Sequence, residues 1–560
     1  MNYKRLVKLG LALVVPVMLA GCSTTNEGKD AGDSGKDKGK ADLAQEQVFK
    51  TVVGSEMPTA DPTLSTDVIS SVALNSVYEG LYRFDGEGKA QPAGAAEMAE
   101  VSDDGLVYTF KLREDAKWSD GEPVVAKDYV YAWQRAANPD SGSEYAFFME
   151  NLKNGGDVIN GDKPVEELGV KALSDYELEV TLEKPTPYFD YLVAFSTFYP
   201  QRQDIVEKYG KDYASTSDKA VYNGPFTLAD FDGPGTDTEW AYEKNDTYWD
   251  KDAVKLDKVE VQVIKEASTA LNLYQDGQAE DVVLTGELAQ QMASDPDFVT
   301  DKKASMMYLE MNQSEDDGLF KNENVRKALS YTIDREALVE QILGDGSIAP
   351  TGLVPSGMVQ NIDGKEHDFA KESGDFAKFD LDKAKEHWEK AKKELGKDKL
   401  SFDILTSDTD SAKKVSEYLQ GTFMENLDGL DVTVSPVTFT IRIERGLKQD
   451  FDMLNSGWNA DYNDPSSFID LFASNISYNQ GKYSNPEYDK LVKSAAVDNA
   501  NDPAARWQDL LDAEKILMDE MGLIPLYQKA EAHLRTAKVK DVVVNPAGAP
   551  YDYKWAYKVD

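Results

Sequence analysis

Strict alternation of apolar and polar side chains marks short strands along the first half of the chain. Val259, Val261 and Val263 enclose Glu260 and Gln262. Leu178, Val180 and Leu182 alternate after Glu177 and Glu179, and Tyr108, Phe110 and Leu112 do the same. Val48 to Val53 is the first strand of the series. In the second half a helical period takes over. Leu381, Ala384, Trp388, Ala391 and Leu395 share one face, with Asp380 placed as N-cap and Gly396 as the stop. Val325, Leu329, Thr332, Ile333 and Leu338 to Leu343 predict a further helix ending at Gly344.

One segment sets the fold class. Leu400, Phe402 and Ile404 read as a strand, Ser411 to Leu427 as a helix, and Leu430 to Val434 as a second strand. A strand–helix–strand unit requires a parallel sheet and a right-handed crossover, hence an α/β fold. A short strand, Phe451 to Leu454, is expected to run into the loop Gly457-Trp458-Asn459-Ala460-Asp461-Tyr462-Asn463-Asp464-Pro465. Another loop, Gly54 to Pro62, follows Val53. In open α/β sheets ligands bind beyond the carboxyl ends of strands, where both loops fall.

At 560 residues the chain exceeds what one core supports, so two or three lobes are expected. Its 101 acidic against 60 basic residues give a net charge of −41. Such a surface repels phosphate backbones and anionic headgroups, which argues against nucleic acid as a partner. Cys22 is the only cysteine, and His367, His387 and His533 lack metal-ligand spacing. A disulfide framework and a cysteine-based zinc site are therefore excluded, and no metal or cofactor is expected, although an all-carboxylate calcium site stays open. Walker A, dinucleotide-binding and GxSxG patterns are absent from the region after Val48.

The N-terminus reads as an address. Lys4, Arg5 and Lys8 precede the apolar run Leu9 to Gly21, too short to span a bilayer of ~30 Å. The run ends in Leu19-Ala20-Gly21-Cys22, which looks like a bacterial lipobox. The expected product loses residues 1–21 and is anchored by acyl chains on Cys22 at the outer face of the cell membrane. Residues 22–47, rich in Gly, Lys, Asp and Ser, are expected to form a flexible lipidated tether.

Longer motifs carry a family resemblance. The stretch Glu97 to Gly121 (EMAEVSDDGLVYTFKLREDAKWSDG) resembles the signature of the family 5 extracellular solute-binding proteins of ABC transporters. Tyr222 to Phe226, Lys244 to Trp249, Phe320 to Leu329, Gly457 to Pro465 and Pro525-Leu526-Tyr527 extend it over nearly the whole chain after Val48. The likeness is greatest to Gram-positive oligopeptide-binding lipoproteins. It implies a two-lobed, hinged fold of the class II periplasmic-binding-protein type with an inserted subdomain. The implied division is a discontinuous lobe I at 48–68, 206–309 and 532–560, an inserted subdomain at 69–205, and lobe II at 310–531.

The resemblance also implies a monomer with no enzymatic chemistry, which binds an extended oligopeptide and delivers it to an ABC permease. Asp461 matches the aspartate that pairs with the peptide's α-ammonium, and Trp458 matches a cleft wall. Gly457 and Asn459 match backbone contacts to the ligand strand, with Glu56 and Met57 facing them from the other lobe. Tyr145, Glu310 and Phe439 fall near cleft-lining positions. Enteric members carry an arginine three residues before the motif tryptophan, where this chain has Asn455. Arg442 and Arg445 lie near it but out of register. Read apart from the resemblance, Asp461 beside Asn463, Asp464 and Pro465 is more often a turn-former. Alternative readings are the same fold binding an oligosaccharide or a metal chelate, and a secreted hydrolase.

Overall fold

Two long antiparallel strands, Phe298–Met311 and Ile524–Arg535, run through the middle of a ten-stranded sheet. Outward from the first lie Met453–Asn459, Leu400–Ser407 and Leu430–Val437. Outward from the second lie Asp281–Leu284, Val48–Val53, Lys258–Val263, Glu239–Lys244 and Phe226–Ala229. The pairing of the two long strands slips, from Lys302 opposite Ala530 to Met306 opposite Gln528. Extra residues on one strand bend and twist the pair, so the two halves of the sheet meet at an angle. This computed structural model describes residues 43–560 except 87, 187, 315–317, 363, 475 and 546, and Leu43–Asp560 forms one compact unit.

The strand–helix–strand segment is as the pattern predicts. Leu400–Ser407 pairs in parallel with Leu430–Val437, from Leu400 opposite Leu430 to Ser407 opposite Val437, and the helix Asp410–Asn426 connects them. Leu329, Trp388, Ile404, Phe423 and Ile524 are fully buried around this unit and form its apolar core. The helix Leu381–Leu395 begins where Asp380 accepts the Lys383 N–H and ends at Gly396 in the left-handed region, φ 64°. A separate antiparallel sheet, in the order Glu100–Val101, Val107–Lys111, Glu177–Thr181 and Val170–Ser174, packs on a second core that includes Trp118, Tyr129 and Trp133.

Three expectations change. The helix expected from Val325 to Leu343 is interrupted: Glu323–Thr332 stops before Ile333, and Asp334 caps a new start at Arg335 by accepting the Ala337 N–H. A residue that caps cannot continue a helix, because its backbone is extended. Second, the strand expected to end at Leu454 spans Met453–Asn459, so Gly457, Trp458 and Asn459 are strand residues. Third, residues 43–47, assigned by composition to the tether, pair with the C-terminus. Ala44 donates its N–H to the Lys558 carbonyl at 3.0 Å, and the Gln47 side chain donates to that carbonyl and accepts the Lys558 N–H. The signal segment, Cys22 and the tether up to residue 42 lie outside the described residues.

Candidate functional site

The strand Met453–Asn459 forms one wall of a cavity of about 410 Å³. It is held on both sides: Gly457 pairs with Met307 and Asn459 with Ser305 of one long strand, while Met453 and Leu454 pair with Ile404 and Leu405. Gly457 lets the Met307 thioether pack against the strand, and a Cβ there would require that side chain to move. Beyond Asn459 the chain turns under firm control. Ala460 donates its N–H to the Ala304 carbonyl at 2.7 Å, and Asp461 donates its own to Ser467 Oγ at 2.9 Å. Asn459 Nδ2 donates to the Gly548 carbonyl at 3.0 Å. Downstream, Asp464 forms a buried pair with Arg506 at 2.8 Å, which fixes the turn from behind.

These restraints leave the Asp461 carboxylate lining the cavity while 6% exposed. Its Oδ1 accepts the Tyr145 hydroxyl at 3.0 Å across 316 residues of sequence. Tyr145 belongs to a cluster of rings that line the same cavity. Trp458 and Tyr478 meet edge to face at 4.6 Å, and Tyr145 lies 5.5 Å from Tyr478 and 6.0 Å from Trp458. Burial pushes the Asp461 carboxyl well above the usual carboxylate range, against the opposing hydrogen bond from Tyr145. A desolvated acid in an aromatic-lined cavity is suited to a cation, through a charge-assisted hydrogen bond.

The cavity gathers most of the expected residues: Asp461, Trp458, Gly457, Asn459, Tyr145, Glu310 and Phe439 all line it. Glu310 is buried and accepts the Gly481 N–H at 2.8 Å; burial raises its carboxyl to about 7. Phe439 opens the helix Phe439–Leu447, which Thr438 caps. Glu56 and Met57 are outside the lining, and their neighbours Gly54 and Ser55 are the residues that reach it. Glu56 instead binds Lys265 at 2.8 Å, while the Met57 carbonyl accepts the Gly235 N–H at 2.7 Å.

The sequence profile of the bacterial extracellular solute-binding proteins, family 5, matches residues 89–480. The chain belongs to that family. Among relatives of this family 5 protein, the dipeptide-binding protein of Lactococcus lactis subsp. cremoris is 36% identical over 516 residues, covering 90% of this chain and 93% of the relative. A peptide-bound structure of OppA from Listeria monocytogenes is 41% identical, with a TM-score of 0.88 over 92% of this chain and all of that one. The pheromone receptor PrgZ has the same identity, coverage and TM-score. The family 5 fold is two-lobed, and the bent sheet with its two crossing strands is how this chain builds it.

Sequence reasoning missed Tyr478 and Arg442 as parts of the cavity lining. Tyr478 sits in Ser477-Tyr478-Asn479-Gln480, where no periodic pattern or quoted motif sets it apart. In the sequence Arg442 stands out only as an arginine near Asn455 but out of register with it. The helix Phe439–Leu447 folds back so that Arg442 Nη1 donates to Ser456 Oγ at 3.3 Å, next to Asn455.

Proposed function

We propose that this family 5 protein is a lipid-anchored, extracellular receptor that closes around extended oligopeptides and passes them to an ABC permease, with no chemistry of its own. The lipid attachment would be through Cys22, and the receptor would act as a monomer. One observation carries the reading: Asp461, a buried carboxylate whose hydrogen-bond donor is the neutral Tyr145 hydroxyl, lines the cavity where a cavity-lining strand ends. A peptide's α-ammonium fits that site by charge, size and its need for a desolvated partner. The neighbouring strand residues Gly457 and Asn459 support main-chain pairing with an extended ligand, in which alternate side chains enter pockets. The peptide-bound OppA and the peptide receptor PrgZ are similar over most of the chain, which supports the same ligand class here.

Calorimetry with peptides of three to ten residues, each free and N-acetylated, tests this. The expected result is binding of the free-amino peptides and a large loss on acetylation, because capping removes the charge that Asp461 would meet. Equal affinity for both forms would count against the ammonium site, and binding to none against the peptide reading as a whole.

A further inference from the structure

The cavity is lined by five side chains that can carry positive charge: Lys265, Lys303, Arg442, Lys529 and His533. Four already have a carboxylate within ion-pair distance. Lys265 meets Glu56 and Asp408, each at 2.8 Å. Lys303 has Glu531 at 3.6 Å, and Lys529 has the same residue at 2.6 Å. His533 has Asp281 at 2.6 Å. Arg442 is the exception: among the described residues no carboxylate oxygen lies within 4.0 Å of it. Among the described residues its guanidinium has one hydrogen-bond partner, the neutral hydroxyl of Ser456 at 3.3 Å, and it stands 5.1 Å from the centre of the Phe439 ring.

Two acids act on Arg442 from the wider neighbourhood, but neither is bonded to it. Glu310 is raised to about 7 by burial and already accepts the Gly481 N–H. Asp67, raised by burial to about 6, accepts the Ser70 N–H at 2.9 Å. Neither supplies a directly bonded counter-charge. Arg442 is half-buried, and burial lowers the guanidinium's own pKa, so the protein has placed a partly desolvated cation without a bonded counter-charge. A guanidinium offers five N–H donors in a fork that matches a carboxylate in two-point contact. Asn455, next to Ser456, cannot play this part: it carries no charge, and its amide nitrogen donates to Thr406 and Ser416.

We infer that Arg442 is the cavity's receptor for a carboxylate of the bound peptide and so a determinant of which peptides are held. The inference rests on the peptide reading above and adds a second fixed point to it. Its place is set by the strand Met453–Asn459. Asp461 lies five residues beyond Ser456, so at ~3.3 Å per residue the Cα atoms of these two positions are at most about 16 Å apart. An extended ligand covers that distance in about five residues. The carboxylate sensed by Arg442 therefore belongs to the first five residues or so, either as the C-terminal group of a short peptide or as an aspartate or glutamate side chain within a longer one.

The test uses the purified full chain, freed of co-purified peptide, in calorimetric titrations. One arm compares peptides of two to six residues with free and amidated C-termini. The other moves a single glutamate, paired with a glutamine control, along an otherwise neutral, C-terminally amidated peptide. Each arm is repeated with Arg442→Gln and Arg442→Lys. The expected result is that removing the carboxylate at one length or position weakens binding by at least about 30-fold in the native chain. That difference disappears in Arg442→Gln and is partly restored in Arg442→Lys. The responding arm identifies the source of the carboxylate. Binding of free-amino peptides that is indifferent to every carboxylate in both arms overturns the inference and leaves the peptide reading intact. This comparison needs only the native chain, so it holds even if a variant folds poorly. A native chain that binds no peptide overturns the peptide reading itself.

Discussion

Asp461 combines two properties that seldom coincide in a residue kept for stability: it is almost completely buried, and its one side-chain hydrogen bond is to a neutral hydroxyl. Burying an ionised carboxylate so weakly compensated is costly, and burial accordingly pushes its pKa up. Replacing it by the isosteric neutral amide should separate function from stability. Asp461→Asn is expected to lose about 2–5 kcal/mol of affinity for a free-amino peptide, because a buried ammonium is left without its counter-charge. Its melting temperature should stay level or rise, since a buried acid has been removed. Calorimetry and thermal denaturation on the same preparation check both parts; unchanged affinity would take Asp461 out of the site. Asp464, three residues on, shows the contrast. Its carboxylate is bonded to Arg506 at 2.8 and 2.9 Å, and this pairing belongs to the structure of the turn.

Among the elements, the strand Ile524–Arg535 has the densest ionic support. His533 Nδ1 is 2.6 Å from Asp281 Oδ1, and Arg535 binds the other oxygen of Asp281 at 2.6 Å and Asp301 at 3.0 Å. These contacts join both long strands to Asp281–Leu284, so they brace the bend beside the cavity. Burial alone would lower the His533 pKa, but Asp281 outweighs it and the value rises to about 9 from an ordinary 6.5. The sign follows from linkage: with the folded pKa above the unfolded one, the stabilisation is complete below about pH 6.5 and is lost as pH rises through 9. The amount at stake is on the order of 3 kcal/mol. Urea denaturation from pH 6 to 10 should show this decline in the native chain and a flatter profile in His533→Gln. Parallel profiles would mean that His533 is not the titrating group.

For the molecule as a whole, an ionic clasp joins the two halves of the sheet beside the cavity, next to hydrogen bonds that Asp410 makes with Lys265 and Ala267. Lys265 follows the strand Lys258–Val263 on one side of the long strands, and Asp408 follows Leu400–Ser407 on the other. Lys265 Nζ lies 2.8 Å from Asp408 and from Glu56. A hinged fold opens by separating such halves, so this clasp should favour the closed form. Lys265→Met is expected to weaken peptide affinity by about 1 kcal/mol, through faster release. The radius of gyration of the peptide-free protein in X-ray scattering should increase at the same time. If both stay unchanged, the clasp adds nothing to closure.

Local pattern was enough to derive the α/β class, the strands Val48–Val53 and Lys258–Val263, the parallel unit from Leu400 to Val437, and both ends of the helix Leu381–Leu395. Each of these depends on side chains within a few residues of one another. Asp461 and Trp458 were legible for a different reason, because a short motif marks them. The extension of the strand through Asn459 was not, because Gly457-Trp458-Asn459 has no alternation and pairs only because Met307 and Ser305 lie alongside. Likewise, nothing local brings Tyr145 to Asp461, Arg442 to Ser456, or turns Glu56 toward Lys265 and out of the cavity. Those are consequences of sheet order and of the slip between the long strands, which join residues as many as 316 positions apart. The sequence by itself therefore determined the elements and the chemical character of the site, since both are written in neighbouring residues. Only the tertiary structure decided which charges in the cavity are already paired, because pairing is a property of distance in space.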